Sequence, residues 1–517
     1  MPTAYRVVRN LYRDSVSMMQ LSATLRDLPG IEQASATMAT PANLDMLREA
    51  GMLADAPDAG TSDLLVVVKG APAAALEAAL VTAEAELRRP PRASADGGPR
   101  ALPPASLQMA LERTPDANFA LISTPGEYAA SEAAKALRLG LNVMLFSDNV
   151  SVADEIALKT YGREHGRLVM GPDCGTAIID GVPLGFANVV RRGTIGVVGA
   201  SGTGTQQVTC LVHRFGEGIS HAIGTGGRDL KTEVGGITML QGLDALARDK
   251  ATRVIVLVSK PPAPDVAARV IKAARKIRKP VVVNFVGAEI VAKGANLHFA
   301  STLDDAARAA VALANGRAPA RRAAARVPPR LLARLPRLAR SQRYLRGLYS
   351  GGTFCYEASA LLGELLGPVR SNAPVDPQLH LDDVWKSVEH TVVDLGDDEF
   401  TRGRPHPMID QTLRNERLLE EASDPSVAVI LLDVVLGYGA HPDPATPIAA
   451  AIEKARARAT KQRRRISFVG FICGTDDDPQ GYARQEATLR AAGMVLADSN
   501  AQAVRVAAAI ARRAQER

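Results

Sequence analysis

The sequence predicts an α/β protein made of several Rossmann- or flavodoxin-like parallel-sheet domains, preceded by a small α+β domain. Three observations carry that prediction. Short apolar runs of strand character alternate with helical stretches over most of the 517 residues, the order that builds parallel sheets with helices on their faces. The turns after several of these runs are made of small residues, as in RGTIGVVGASGTGTQQ from Arg192 to Gln207 and GLYSGGTF from Gly347 to Phe354. The length allows three or four domains with their own cores, and a composition of 46% hydrophobic and 23% charged residues is that of an ordinary soluble protein.

Composition also excludes some functions. Aromatic residues are only 4%, so the cores must be built from Ala, Val, Leu and Ile. The net charge of +7 sits largely in one arginine-rich stretch, Arg317 to Arg346, which contains no Asp or Glu. Few aromatics are interleaved with it, which argues against a nucleic-acid partner. Cys174, Cys210, Cys355 and Cys473 form no CxxC pair, which points to a reducing compartment and away from zinc. Neither a signal-peptide core nor a membrane-spanning apolar run is present, so the expected location is the cytoplasm, away from a membrane.

Residues 1–90 read as the small α+β unit. Strands are expected at Ala4–Asn10, Ile31–Met38 and Asp63–Val68, and helices at Asp14–Leu28, Ala42–Ala50 and Ala73–Arg89. Residues 88–104 turn to Pro, Arg, Gly and Ala and read as a linker. Over 105–190, strands at Phe119–Ser123, Asn142–Phe146 and Leu168–Met170 alternate with helices at Tyr128–Leu139 and Val152–His165. The first strand–helix turn, Ser123 to Glu127, lacks the GxGxxG of a dinucleotide site. Residues 192–315 form a second parallel unit, with strands at Thr194–Val198, Gly218–Ile223, Val254–Ser259 and Pro280–Phe285. Residues 316–343 are an Arg/Pro-rich linker, or else a docking strip for an acidic partner. Residues 344–517 make a third unit, with strands at Ile430–Leu436, Ser467–Ile472 and Met494–Leu496 and a last helix at Ala501–Arg513.

The candidate sites lie where strands end. A strand, a small-residue turn and a helix start leave backbone N–H groups unpaired at the positive end of the helix dipole, which suits a phosphate or carboxylate. Ser201, Gly202, Thr203 and Gly204 form one such turn, and Ser350, Gly351, Gly352 and Thr353 repeat it. Gly224, Thr225, Gly226 and Gly227 let a backbone wrap an anion, with Arg228 as a charged contact; the alternative is a tight turn with a solvated arginine. Gly437, Gly439 and His441 follow a third strand. The stretch from Asp394 to Asp410 is too irregular for a helix and too charged for a core. In it Arg404 would clamp a carboxylate, and His406 as acid or base, or else Asp410, would handle protons. These acids, and Asp476 to Asp478, lack EF-hand spacing, so no metal site is assigned.

From Asn142 to about Gly287 the chain resembles the alpha subunit of succinyl-CoA synthetase. Gly171-Pro172-Asp173-Cys174 stands where that family has GPNC. Arg192 to Val198 leads into Ser201-Gly202-Thr203 as the family's phosphate helix does, and Ile223 to Gly227 stands at its IGIGG turn. The C-terminal third is similar to the beta subunit's ligase domain, with Ser350 to Thr353 as the second phosphate helix. With the runs MGPDCGTAIIDG, GRPHPMID and LLDVVLGYGAHPDP, nearly the whole chain resembles the FdrA proteins, which fuse the two halves. The departures are specific. No GHAG loop carries a relay histidine; the nearest histidine, His298, lacks flanking glycines. Gln207 replaces a glutamate on the first phosphate helix, and no ATP-grasp domain is present.

The resemblance implies a subunit of oxamate carbamoyltransferase in allantoin degradation, in which oxalurate and phosphate give oxamate and carbamoyl phosphate. Phosphate is then a co-substrate, no other cofactor is required, and further subunits complete a hetero-oligomer. It also implies two alternatives: an acyl-CoA synthetase that binds coenzyme A, against which the missing GxGxxG turn argues, and a non-catalytic scaffold subunit.

Overall fold

A computed structural model describes residues 2–13, 15–55, 57–88, 104–288, 294–319, 327, 338–402 and 404–515. Most of both expected linkers, at 88–104 and 316–343, lies outside the described residues. The chain divides into two compact units, one of residues 1–117 with 397–410 and one of 118–396 with 411–517.

In the first unit, β1 (Thr3–Val8), β2 (Ile31–Met38) and β3 (Leu64–Gly70) form an antiparallel sheet of order β1-β3-β2. The central strand is apolar on both faces because both are covered. Leu64, Val66 and Val68 pack with Leu25, Leu76 and Leu80 of two helices, Ser15–Arg26 and Ala73–Arg88. Leu65 and Val67 face Leu47 of the helix Pro41–Glu49 and Met52 beyond it. Each such side chain removed from water contributes roughly 1.5–3 kcal/mol. Pro41 opens that helix and Thr40 caps it. The stretch read as an irregular loop behaves differently along its length. Asp394 closes a strand of the larger unit, while Asp398–Thr401 is a short helix capped by Asp397 in the N-terminal unit.

Among the described residues the larger unit holds three sheets. β4 (Phe119–Ile122), β5 (Asn142–Leu145) and β6 (Val169–Met170) are parallel in that order. The next sheet contains β7 (Thr176–Ile179), β8 (Val182–Gly185), β9 (Arg192–Gly199), β10 (Ile219–Gly224), β11 (Val254–Ser259), β12 (Val281–Phe285) and β13 (Leu297–Phe299). Its order is β13-β12-β11-β9-β10-β7-β8. The sequence reading ended the preceding unit at 190, but β7 pairs antiparallel with β10, so the β7–β8 hairpin extends this sheet. The last sheet, β15-β14-β16-β17-β18, is wholly parallel and contains β14 (Tyr344–Tyr349), β15 (Thr391–Asp394), β16 (Val427–Val435), β17 (Ser467–Cys473) and β18 (Met494–Ala497). All of β16 and β17 is buried, which explains their continuous apolar runs.

Strand order fixes where a ligand fits. From β9 the chain steps to β10 on one side and then to β11 on the other. From β14 it steps to β15 and then across to β16. Both are points where the winding direction switches, and the carboxyl ends of such strands border a crevice. Ser201 follows β9, and Ser350 follows β14.

Candidate functional site

The two switch points face each other. After β9, Ser201 takes an extended backbone and caps the helix Gly202–Arg214, its Oγ accepting from Gly204 N at 2.9 Å. After β14, Gly351 stands at the N-cap of the helix Gly352–Leu366 and provides no side-chain cap. Ser201 Oγ and Thr353 Oγ1 are 2.6 Å apart, one hydroxyl donating to the other. Glycine is required at this approach. A Cβ on Gly204 would lie 3.1 Å from Thr353 Cγ2, and one on Gly351 would lie 3.0 Å from Thr203 Cγ2. Neither helix has an acid in its first turn. Two positive dipole ends therefore point at one spot, an arrangement that an anion between them relieves.

A buried acid and a partly exposed base frame the second turn. Asp433 accepts from Ser350 N, Ser350 Oγ and Gly351 N, each at 2.9 Å, and Arg414 Nη1 donates to it at 2.8 Å. This network fixes the turn from below. Burial lowers the pKa of the Arg414 guanidinium, and Asp433 opposes that shift. At Gly352 a Cβ would lie 2.4 Å from Asp394 Oδ2 and 3.3 Å from Lys260 Nζ. Asp394 ends β15 and Lys260 directly follows β11, so both come from the carboxyl edge of a parallel strand. Among the described residues no carboxylate forms an ion pair with Lys260, whose ammonium lies 5.9 Å from the Tyr356 ring centre. The sequence reading missed Lys260. Its position immediately after a strong buried strand was the available signal.

The other predicted residues have different surroundings. A Cβ on Gly224 would lie 2.4 Å from Thr176 O, and one on Gly226, whose φ is +83°, would lie 2.2 Å from Pro172 O. The Gly224–Gly227 turn is thus glycine-rich because it packs on the Gly171–Cys174 turn. Thr225 N donates to Gly199 O, and Thr225 O accepts from Lys159. Arg228 donates to Val150 O at 2.8 Å and pairs with Glu155 at 3.0 Å. Lys159 lies between Glu155 and Asp229 at 2.8 and 2.7 Å, with all three buried. Gly437 and Gly439 have φ of +105° and +78°, and their missing Cβ atoms make room for Ala187 O and the Phe186 ring. His441 Nδ1 accepts from Asp443 N, and Gln480 Nε2 donates to the His441 carbonyl.

Arg404, His406 and Asp410 belong to the N-terminal unit, whereas both helix starts belong to the larger one. There His406 Nδ1 accepts from Met408 N at 3.1 Å, and buried Asp410 forms an ion pair with Arg26. Six other described histidines of the larger unit have contacts of their own. His165 stacks on Tyr161, and His213 and His221 accept from Arg191 N and Asp180 N. His298 lies on edge strand β13, His380 contacts Leu381 O, and His390 accepts from Leu345 N. The thiols are poor nucleophiles, because burial pushes Cys174 up to about 12 and also raises Cys210 and Cys355.

Comparison with known proteins follows the same division. Residues 348–510 match the family described as CoA-ligase, residues 190–287 the CoA binding domain, and residues 1–102 the AllF, heavy metal-associated domain. The chain is 44% identical over 493 residues to YahF of Escherichia coli K12, covering 95% of each. It is 31% identical over 176 residues to succinate–CoA ligase [ADP-forming] subunit alpha 2 of Archaeoglobus fulgidus, covering 33% of this chain and 59% of that one. Acetyl-coenzyme A synthetase 1 of Ca. Korarchaeum cryptofilum, solved with phosphate and ADP, aligns at 15% identity and TM-score 0.31 over 77% of this chain and 83% of that one.

The heavy metal that one of these descriptions implies does not fit the residues present. Residues 1–102 contain no Cys or His, and no described cluster of three or more His, Cys, Asp or Glu is placed to hold a metal. No described helix is long and apolar enough to cross a membrane. A ligase-type α/β fold joined to an AllF-type N-terminal domain, with near full-length identity to YahF, places the chain in the FdrA-type family of fused succinyl-CoA-synthetase-like proteins.

Proposed function

We propose that this chain carries out acyl transfer to inorganic phosphate at the paired helix starts, as a subunit of an oxamate carbamoyltransferase. The observation that supports this most strongly is the 2.6 Å contact between Ser201 Oγ and Thr353 Oγ1, which focuses two helix dipoles and two hydroxyls on one position. Phosphate binds there with its charge balanced by both dipoles and by Lys260. A phosphate oxygen attacks the carbamoyl carbon of oxalurate, and the C–N bond to the oxamyl group breaks. The proton of hydrogen phosphate passes to the departing nitrogen, so carbamoyl phosphate and oxamate leave with atoms and charge balanced. This route needs no phosphohistidine. Holding both reactants in one crevice supplies much of the rate.

The test is to co-express the chain with its genomic neighbours and incubate the complex with oxalurate and phosphate, without nucleotide or coenzyme A. Carbamoyl phosphate that appears only when phosphate is added supports the reading, and no product rejects it. A second reading, acyl-CoA ligation, draws on the CoA-ligase and CoA binding family descriptions. It predicts acylation by the same complex that depends on coenzyme A and ATP. With neither activity, a scaffold role would stand.

A further inference from the structure

Gln207 is 2% exposed, and its carbonyl oxygen has no hydrogen-bond partner among the described residues. Leaving a buried amide unpaired costs about 1–3 kcal/mol, so the position calls for an explanation. Helical geometry gives it a direction. Gln207 follows Thr203 by four residues and Gly204 by three, so the three share one helix face. That face is the one turned to the second helix, since Thr203 approaches Gly351 and Gly204 approaches Thr353. Side chains in a helix lean toward its N-terminus, which directs the Gln207 amide toward the helix start.

We infer that Gln207 selects the acyl group, accepting a hydrogen bond from the carbamoyl N–H₂ and so favouring carbamoyl over alkyl-acyl donors. This rests on the proposed acyl transfer to phosphate at the same seat. Phosphate lies at the helix starts, and the acyl group bonded to it reaches one turn inward. A methyl in place of the amino group leaves the Gln207 carbonyl unpaired, whereas an amino group satisfies it. Sites that hydrogen-bond a ligand N–H discriminate strongly against analogues lacking it, because their own polar group is then stranded.

The test compares two stable phosphonates that differ only in that group, phosphonoacetamide and 2-oxopropylphosphonate, titrated into the full-length protein beside inorganic phosphate. The wild type is expected to bind the amide at least about tenfold more tightly than the ketone, equivalent to about 1.4 kcal/mol. Gln207→Met, close in shape but unable to accept this bond, is expected to erase that ratio while binding inorganic phosphate as the wild type does. Equal binding of both phosphonates by the wild type, with phosphate still bound, overturns the role of Gln207 and leaves the phosphate seat standing. An unchanged ratio in Gln207→Met also overturns it. Should that variant not fold, the wild-type ratio decides. A protein that binds no phosphate overturns the seat and this inference together.

Discussion

The hydroxyls of Ser201 and Thr353, 152 residues apart in sequence, meet at 2.6 Å. That contact joins two sheets that would be separate domains on sequence order alone, and it sets the starts of two helices against one another. Each hydroxyl also has a local task. Ser201 caps its own helix, while Thr353 stands in the first turn of a helix whose N-cap, Gly351, has no side chain to offer. Removing the two hydroxyls therefore has different consequences. Thr353→Val should leave thermal stability close to wild type and weaken phosphate binding about tenfold, the loss of one hydrogen bond to an anion. Ser201→Ala should weaken binding similarly and also lower stability by about 1 kcal/mol through the lost cap. Calorimetric titration and chemical denaturation separate the two effects.

Lys260 brings charge to the seat without an ion-pair partner among the described residues. Lys260→Met should reduce phosphate affinity about tenfold or more and flatten its dependence on ionic strength, since a partly exposed cation is screened by salt. Binding measured at low and moderate salt checks both. Retention of the full salt dependence would remove Lys260 from the seat.

Arg228 and Lys159 share Glu155 as an ion-pair partner. Lys159→Met strands the buried carboxylates of Glu155 and Asp229, which should cost about 3–5 kcal/mol. Arg228→Gln should leave phosphate affinity at the wild-type value, because that guanidinium already contacts Glu155 and Val150 O. Denaturation of the first variant and titration of the second check these outcomes.

Glu357, on the helix Gly352–Leu366, makes stability pH-dependent. Burial raises its carboxyl from the ordinary 4.5 to about 7, although Leu303 N and Asn500 Nδ2 both donate to it. The folded state thus holds this proton more tightly than the unfolded chain does. The resulting stabilisation is fully present below about 4.5 and is lost as pH rises toward 7. At about 1.4 kcal/mol per unit, the stability of wild type relative to Glu357→Gln should fall by on the order of 3–4 kcal/mol across that window and stay level above it. Denaturation midpoints of the two proteins between pH 4.5 and 8 check the sign.

Much of this architecture was legible because apolar runs and small-residue turns report strands and their ends. Ile31–Met38 and Val254–Ser259 fall where the sequence placed them. The β7–β8 hairpin was not visible, since four-residue strands that add to the edge of a distant sheet leave little local pattern. Thr391–Asp394 was obscured by the charged residues that follow it. At the site, the two Ser/Gly/Thr turns could be read as anion seats, but not their contact, which depends on strand order in two sheets. The pairing of Arg228 with buried Glu155 was not legible, because a glycine run beside an arginine looks the same whether it wraps an anion or packs on another turn. Lys260 was missed because a lone lysine after a strand has no distinctive motif.

The account depends most on both helix starts holding one phosphate. The direct measurement is calorimetric titration of inorganic phosphate into the full-length protein, Ser201→Ala, Thr353→Val and the double variant. The account predicts one phosphate per chain, weakened in each single variant, with a double-variant loss that departs from the sum because both hydroxyls serve the same anion. Binding that is absent from the wild type, or unchanged in all three variants, would contradict it.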